Sequence, residues 1–321
     1  MKKIVLSVII PAYNAAAYIK DSLGALLGQI DDRVELLVVD DGSTDFTSSI
    51  VKECFSSYLE RGTLRLFSQE NQGVSAARNL GISHAAGQFV GFFDADDVAL
   101  PGYFEKIFGA LKSGADIIEF AYKTFVSSTD ELALNPIFYT NKQFGLHQMP
   151  AIIDGVHAIA RWYPCTRVFK ASLLTGIQFP LGVRFCEDMM TIPLLYEKAQ
   201  TVFNLSDALY GYRTNPSSAT FNVKPDYISN LEKFYKTIPR NGMRRHDFLR
   251  IAVAYSVYSC QFKLAGRMLL PKNMSSDMRK LRYSFAVYFE IEPKKIAMLL
   301  YPTTFSLMKR IKTVFGKRND E

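Results

Sequence analysis

The chain has 321 residues, 48% of them apolar, which is enough for a sizeable core and excludes a disordered chain. Its net charge of +7 is unevenly spread, because residues 221–321 hold 20 Lys+Arg against 8 Asp+Glu. Four scattered cysteines (Cys54, Cys165, Cys186, Cys260) show neither metal-ligand spacing nor the density of a disulfide framework, which fits a reduced cytoplasm.

Met1-Lys2-Lys3 leads into an apolar run that meets Pro11, so the start reads as a buried strand and not as a signal peptide. No stretch approaches the roughly 18–20 apolar residues that cross a bilayer. Leu6–Ile10 predicts the first strand, with a turn at Pro11–Asn14. Ile19, Leu23, Leu26, Leu27 and Ile30 then fall at helical spacing. Glu35–Val39 predicts a second strand ending in Asp40-Asp41-Gly42. Ser43–Asp45 supply helix-capping chemistry, and Phe46, Ile50, Cys54 and Tyr58 recur every four residues behind them. Leu64–Phe67 is a third strand, Ala76–Ala85 a helix, and Gln88–Phe93 a fourth strand stopping at Asp94. Pro101 suits the first turn of a helix, and Asp116–Tyr122 reads as a further strand. From about 123 to 220, prolines 136, 150, 164, 180 and 216 break the pattern into short pieces. Helical character returns beyond Asp226, most clearly over Leu249–Met268.

Alternating strands and helices predict an α/β fold with a mostly parallel sheet flanked by helices. Ligands of such sheets bind beyond the carboxyl ends of the strands. The polar clusters fall there: Ala12–Asn14, Asp40–Asp45, Asn71–Gly73 and Asp94–Asp97.

Asp94, Asp96 and Asp97 follow an apolar strand. Adjacent carboxylates repel one another, and a hard divalent cation removes that cost. The bland alternative is a solvated acidic turn capping the next helix. Asp41 could accept from a base imide or ribose hydroxyl, with Gly42 allowing close approach; a capped strand-to-helix turn is the alternative. Arg78 projects from the start of its helix toward Asp41 or Asp94, or toward a nucleotide. Glu187 and Asp188, far along the chain, suit either a general base or a helix start favoured by the macrodipole. Arg213, among tyrosines, suits either diphosphate oxygens or an edge strand with packed rings.

Ser7–Asn14, DDGSTD at 40–45, NQGVSAARN at 71–79 and FFDADD at 92–97 together resemble the family-two inverting glycosyltransferases of the A-type fold. The match in order and spacing covers roughly residues 1–105. A looser one, through the Glu187-Asp188 pair and Tyr210–Ser218, reaches about 220. The resemblance implies that Pro11, Ala12, Tyr13 and Asn14 line a nucleotide pocket, that Asp41 holds the base, commonly uracil, and that Arg78 supports it. It implies that Asp94 and Asp96, with Asp97 beside them, serve Mn2+ or Mg2+ and the donor sugar, and that Asp188 is the catalytic base. A catalytic domain over 1–220, divided near 105 into nucleotide-sugar-binding and acceptor-facing parts, would precede a basic helical region over 221–321.

The chain lacks the Q-x-x-R-W motif of processive synthases, so the resemblance implies single sugar additions in bacterial capsule, exopolysaccharide or lipopolysaccharide assembly. The expected partners are a nucleotide-sugar donor and a glycan or lipid-linked acceptor, with no nucleic acid. Lys309, Arg310, Lys312, Lys317 and Arg318, behind Ile296–Tyr301, suggest a cytoplasmic protein held peripherally at the inner face of the plasma membrane. The rival readings are a sugar nucleotidyltransferase and a catalytically inactive sugar-nucleotide-binding module. Pro11–Ala17 lacks the Arg and Gly of the former's phosphate loop, and the intact Asp96 and Asp188 speak against the latter.

Overall fold

Four apolar runs near the start become parallel strands. The computed structural model describes residues 3–141, 143–215, 222–266 and 270–281. Strands β1 (Leu6–Ala12), β2 (Val34–Asp40), β3 (Leu64–Ser68) and β4 (Phe89–Phe92) lie in the order β3-β2-β1-β4. Helices α1 (Ile19–Leu27), α2 (Thr47–Cys54), α3 (Ser56–Glu60) and α4 (Val74–His84) connect them. Every residue of β1 and β2 is buried, as expected of strands covered on both faces. On one side Ile19, Leu23 and Leu26 of α1 share a core with Val8, Ile10 and Leu36. On the other, Gly81 of α4 lets the helix press onto Ile9, whose side chain would lie 2.3 Å from an added Cβ.

Two local expectations need correction. The turn placed at Pro11 lies further on, since β1 runs through Pro11 to Ala12. Pairing with β4 ends at Ile9↔Phe92, whereas pairing with β2 continues to Ala12↔Asp40. The amide that proline lacks would point to the side β4 has already left, so no ladder bond is lost. The four-residue repeat from Phe46 to Tyr58 is two helices, because the backbone breaks from helical geometry at Phe55.

After β5 (Val98–Ala99) and α5 (Tyr103–Leu111), β6 (Ile117–Phe125) starts the second half of the sheet. Short α6 (Glu131–Leu134), β7 (Gly145–Gln148), α7 (Met149–Ile159), a 3-10 turn at Pro164–Thr166, β8 (Arg167–Lys170) and α8 (Ala171–Leu174) follow. Then come α9 (Glu187–Lys198) and β9 (Thr201–Arg213), a 13-residue strand where the prolines suggested only short pieces. The nine strands form one sheet ordered β3-β2-β1-β4-β8-β6-β9-β5, with β7 on β9. β8 is antiparallel to both β4 and β6, and β6 is parallel to β9. The sheet is therefore mixed, and the ends of β6 and β9 reach the same edge as those of β1, β2 and β4.

A buried charge network pins α9 from beneath. Glu119 of β6 and Arg167 of β8 are each 1% exposed. Glu119 Oε1 accepts from Arg167 Nε at 2.9 Å and Nη2 at 2.8 Å, and from the hydroxyl of Tyr196 on α9. Arg167 Nη1 also donates to the Tyr163 carbonyl at 2.7 Å. Removing Glu119 or Arg167 alone would leave the other charge buried and unpaired, which typically costs about 3–5 kcal/mol.

The chain divides into two compact units, residues 1–152 with 162–216, and residues 153–161 with 217–321. The second contains α10 (Pro225–Thr237), α11 (Arg244–Ala265) and α12 (Lys272–Leu281). α11 begins five residues before the predicted Leu249. Among the described residues no helix is long and apolar enough to cross a membrane. The basic cluster from Lys309 to Arg318 lies outside the described residues.

Candidate functional site

The first wall of the site is a clasp between two loops. Asp41, only 3% exposed, accepts from Gln69 Nε2 at 2.7 Å and Gln72 N at 2.9 Å on one oxygen, and from Gly73 N at 2.8 Å on the other. Asp40 caps the same turn through Ser43 N at 2.9 Å and the Ser48 hydroxyl. Asn14 adopts a left-handed backbone (φ 49°), and its side-chain oxygen accepts from Thr44 N at 2.8 Å. That bond fixes the end of β1 to the 43–45 loop and leaves Tyr13 half exposed, with Pro11 and Ala12 buried beneath. Gly42 (φ 72°) comes so close to the next loop that an added Cβ would lie 2.8 Å from Asn71 N. Its bareness thus serves the meeting of two loops. Gly42→Ala is expected to combine roughly 1–2 kcal/mol of left-handed strain with displacement of the Asp41 clasp. Calorimetry should show a lower Tm; an unchanged value would refute this account.

The acidic loop separates its carboxylates. Asp94 is 31% exposed at its side chain, and Asp96 is partly exposed. Burial, with the Asp94 charge beside it, pushes the Asp96 carboxyl up to about 6. Asp97 is 1% exposed, and neither oxygen is free to turn toward Asp94: one accepts from the Tyr210 hydroxyl, the other from Arg213 N at 2.6 Å. Asp97 therefore ties the loop to the end of β9. Arg213 Nε donates to the Asp96 carbonyl at 2.8 Å, and its guanidinium lies over Phe125 and Tyr18, 4.4 and 4.9 Å from the ring centroids.

Arg78 joins this loop to the distant acid pair. Its Nη1 donates to Glu187 Oε1 at 2.7 Å and its Nη2 to Asp94 Oδ1 at 3.4 Å, across 109 and 16 residues of sequence. Asp41, the other predicted partner, is held by the clasp instead. Burial opposes the Arg78 charge, but Glu187 and then Asp94 outweigh it and raise its pKa. Its Nε is buried without a hydrogen-bond partner among the described residues. Asp188, at the start of α9, remains partly exposed. Burial of its surroundings, then the Glu187 charge, push its carboxyl up to about 7. Cys186, just before the pair, takes a left-handed backbone (φ 60°) that starts the helix there. Glu187, read from the sequence only as a companion of Asp188, is thus an ion-pair partner of Arg78. The adjacency of two acids was its only visible signal.

Among the described residues no three His, Cys, Asp or Glu side chains form a ready-made metal cage. Asp94 and Asp96 nonetheless fit a magnesium-like cation, which commonly takes one or two carboxylates and completes its shell with water and substrate phosphates. A cleft of about 1100 Å³ opens beside Arg213, lined by Tyr18, Lys20, Gly24, Phe55, Ser127 and Leu132 among others, and touches none of Asp41, Arg78, Asp94 or Asp188.

This edge, with its carboxylates and the guanidinium groups of Arg78 and Arg213 beyond parallel strands, is arranged as in a glycosyltransferase with the A-type fold. Residues 7–163 match the family Glycosyl transferase family 2, which makes that part of the chain a domain of this family. It is 28% identical over 294 residues to the uncharacterized glycosyltransferase EpsJ of Bacillus subtilis, covering 86% of this chain and 82% of that one. The fold is similar to that of S. aureus TarS residues 1–349, solved in complex with UDP-GlcNAc (TM-score 0.65, 19% identity, 99% and 93% of the two chains). It is also similar to that of the mannosyltransferase PcManGT of Pyrobaculum calidifontis, solved with GDP-Man and Mn2+ (TM-score 0.52, 17% identity, 99% and 89%).

Proposed function

We propose that this protein transfers a sugar from a nucleotide-diphosphate sugar, a UDP-sugar by preference, onto a hydroxyl acceptor with inversion at the anomeric carbon. The observation that carries the reading is the bridge from Asp94 through Arg78 to Glu187, which ties the acidic loop to the start of α9. The clasp around Asp41, with Pro11, Ala12, Tyr13 and Asn14, forms the base pocket, and Arg213 meets the diphosphate. Asp94 and Asp96 hold Mn2+ or Mg2+, while Asp97 anchors their loop. When bound, the cation neutralises the diphosphate oxygens. Asp188 takes the proton from the acceptor hydroxyl as its oxygen bonds to the anomeric carbon. The bond from that carbon to the diphosphate oxygen breaks, and the electron pair leaves with the nucleotide.

The TarS and PcManGT complexes support a nucleotide-sugar donor, and 25% identity over 277 residues to the minor teichoic acid biosynthesis protein GgaA of Bacillus subtilis supports a place in bacterial surface polymer synthesis. A glycan or lipid-linked acceptor at the inner membrane face would suit the basic region over 221–321. The test is incubation of the protein and Mn2+ with UDP-sugars, GDP-mannose and dTDP-rhamnose, following nucleotide diphosphate release. A UDP-sugar is expected to be turned over, slowly to water and faster with acceptor. Binding without any release would leave an inactive module.

A further inference from the structure

We infer that Tyr210 is a positioning residue for the proposed cation site. Its buried hydroxyl ties together both ends of the acidic loop and so fixes where the Asp94 and Asp96 carboxylates stand. The inference rests on the reading of those two carboxylates as cation ligands and names the residue that sets their spacing.

The hydroxyl sits where several bonds meet. It accepts from Asp94 N at 3.3 Å and donates to Asp97 Oδ2. A phenol has one proton to give and lone pairs to receive, so both bonds form at once. The loop closes on itself where Asp97 N donates to the Asp94 carbonyl at 3.1 Å. From the same end of β9, Arg213 N donates to the other Asp97 oxygen at 2.6 Å, and Arg213 Nε to the Asp96 carbonyl at 2.8 Å. Asp94, Asp96 and Asp97 are thus all held by one strand end. Of its two residues, Tyr210 is the one that bonds both the first and the last acid of the loop.

The core needs the ring of Tyr210 but not its hydroxyl. The residue is fully buried, its ring lies 4.9 Å from that of Phe93, and its backbone pairs with Ala99 of β5. Phenylalanine would fill the same space and bring no polar atom to bury. The buried Cys165 thiol also meets the hydroxyl, as a weak partner beside a carboxylate. What the hydroxyl adds is its hold on the loop. Burial, then the Asp97 charge, keep its pKa above the usual phenol range, so the donor stays protonated. Neighbouring carboxylates repel one another, and an untied loop would let them part. A magnesium-like cation demands near-octahedral ligands, held to within about 0.5 Å. The tie therefore keeps Asp94 and Asp96 where a cation can use both.

The test removes the hydroxyl alone. Wild type, Tyr210→Phe and Tyr196→Phe are titrated with Mn2+, by itself and with UDP or GDP, and free Mn2+ is followed by electron paramagnetic resonance. Tyr196→Phe is the matched control, since it also takes a buried phenol from a carboxylate, that of Glu119. Tyr210→Phe should raise the Mn2+ Kd by about tenfold, the size of one lost buried hydrogen bond. Tyr196→Phe should lower Tm and leave the Mn2+ Kd at the wild-type value. Asp97→Asn should also leave it there, because its amide can donate to the Tyr210 oxygen while its own oxygen accepts from Arg213 N. An equal Mn2+ Kd in wild type and Tyr210→Phe would overturn the inference and leave the cation reading intact. So would an equal rise in Tyr210→Phe and Tyr196→Phe, which would mark a general loosening. A Tyr210→Phe chain that does not fold would assign the hydroxyl to the fold and overturn the inference too. No Mn2+ binding by wild type under any of these conditions would sink the cation reading, and the positioning role with it.

Discussion

Replacing Asp188 with asparagine is expected to abolish transfer, leave donor binding intact and raise the melting temperature. Asparagine keeps the size and polarity of the side chain but cannot take a proton, so turnover should fall by at least about 10²-fold. The stability gain follows from the carboxyl being pushed up to about 7 from an ordinary value of 3.8, by burial and then by Glu187. A raised acid pKa means that the folded state disfavours the charged form. The penalty is absent at low pH, grows as pH rises from about 4 to about 7, and is complete above that window. At pH 8 wild type carries it and Asp188→Asn does not. Each kcal/mol relieved is worth about 2–4 °C in a domain of 150–250 residues. The same ionisation predicts that kcat/KM of wild type rises with pH through about 7. Normal turnover by Asp188→Asn would pass the role of base to Glu187 or another group.

Chelation should remove transfer, and Mn2+ or Mg2+ should restore it. Asp96→Ala should lower turnover by about 10³-fold, as expected where several kcal/mol of charge stabilisation depend on one ligand, with an unchanged circular dichroism spectrum. Asp97→Asn supplies the contrast. Its carboxylate is spent on Tyr210 and the Arg213 amide. That change should lower Tm while leaving the metal concentration for half-maximal activity near the wild-type value. Full activity in excess chelator would end the metal proposal. Equal metal affinity in Asp96→Ala and wild type would remove Asp96 from it.

The first hundred residues are legible because each buried strand is a continuous apolar run and each ends in residues that do not belong in a core. Asp40-Asp41 and Asp94-Ala95-Asp96-Asp97 mark the edge of the candidate site by placing charge where the apolar strands stop. What the sequence conceals depends on partners far along the chain. Asp97 looks equivalent to Asp94 until Tyr210, 113 residues later, takes its oxygen. Pro11 looks like a turn until the early end of β4 shows that its missing amide has no partner to lose. β9 is hidden because its alternation is built from Leu, Tyr and Gly inside a proline-broken region.

The pinning of Tyr196 beneath α9 has a mechanical consequence. From Asp188 to Tyr196 is eight residues, about 12 Å of helix. Asp188, the proposed base, therefore sits at the tip of a lever whose fulcrum is the Glu119–Arg167–Tyr196 cluster in the core. A tilt of about 5° at the fulcrum moves the tip by about 1 Å, a misplacement that can cost a reaction about 10²-fold. Substitutions near Trp162, whose ring packs 5.8 Å from that of Tyr196, would then act on rate from a distance. They would leave every residue at the opening unaltered and change only where one of them points.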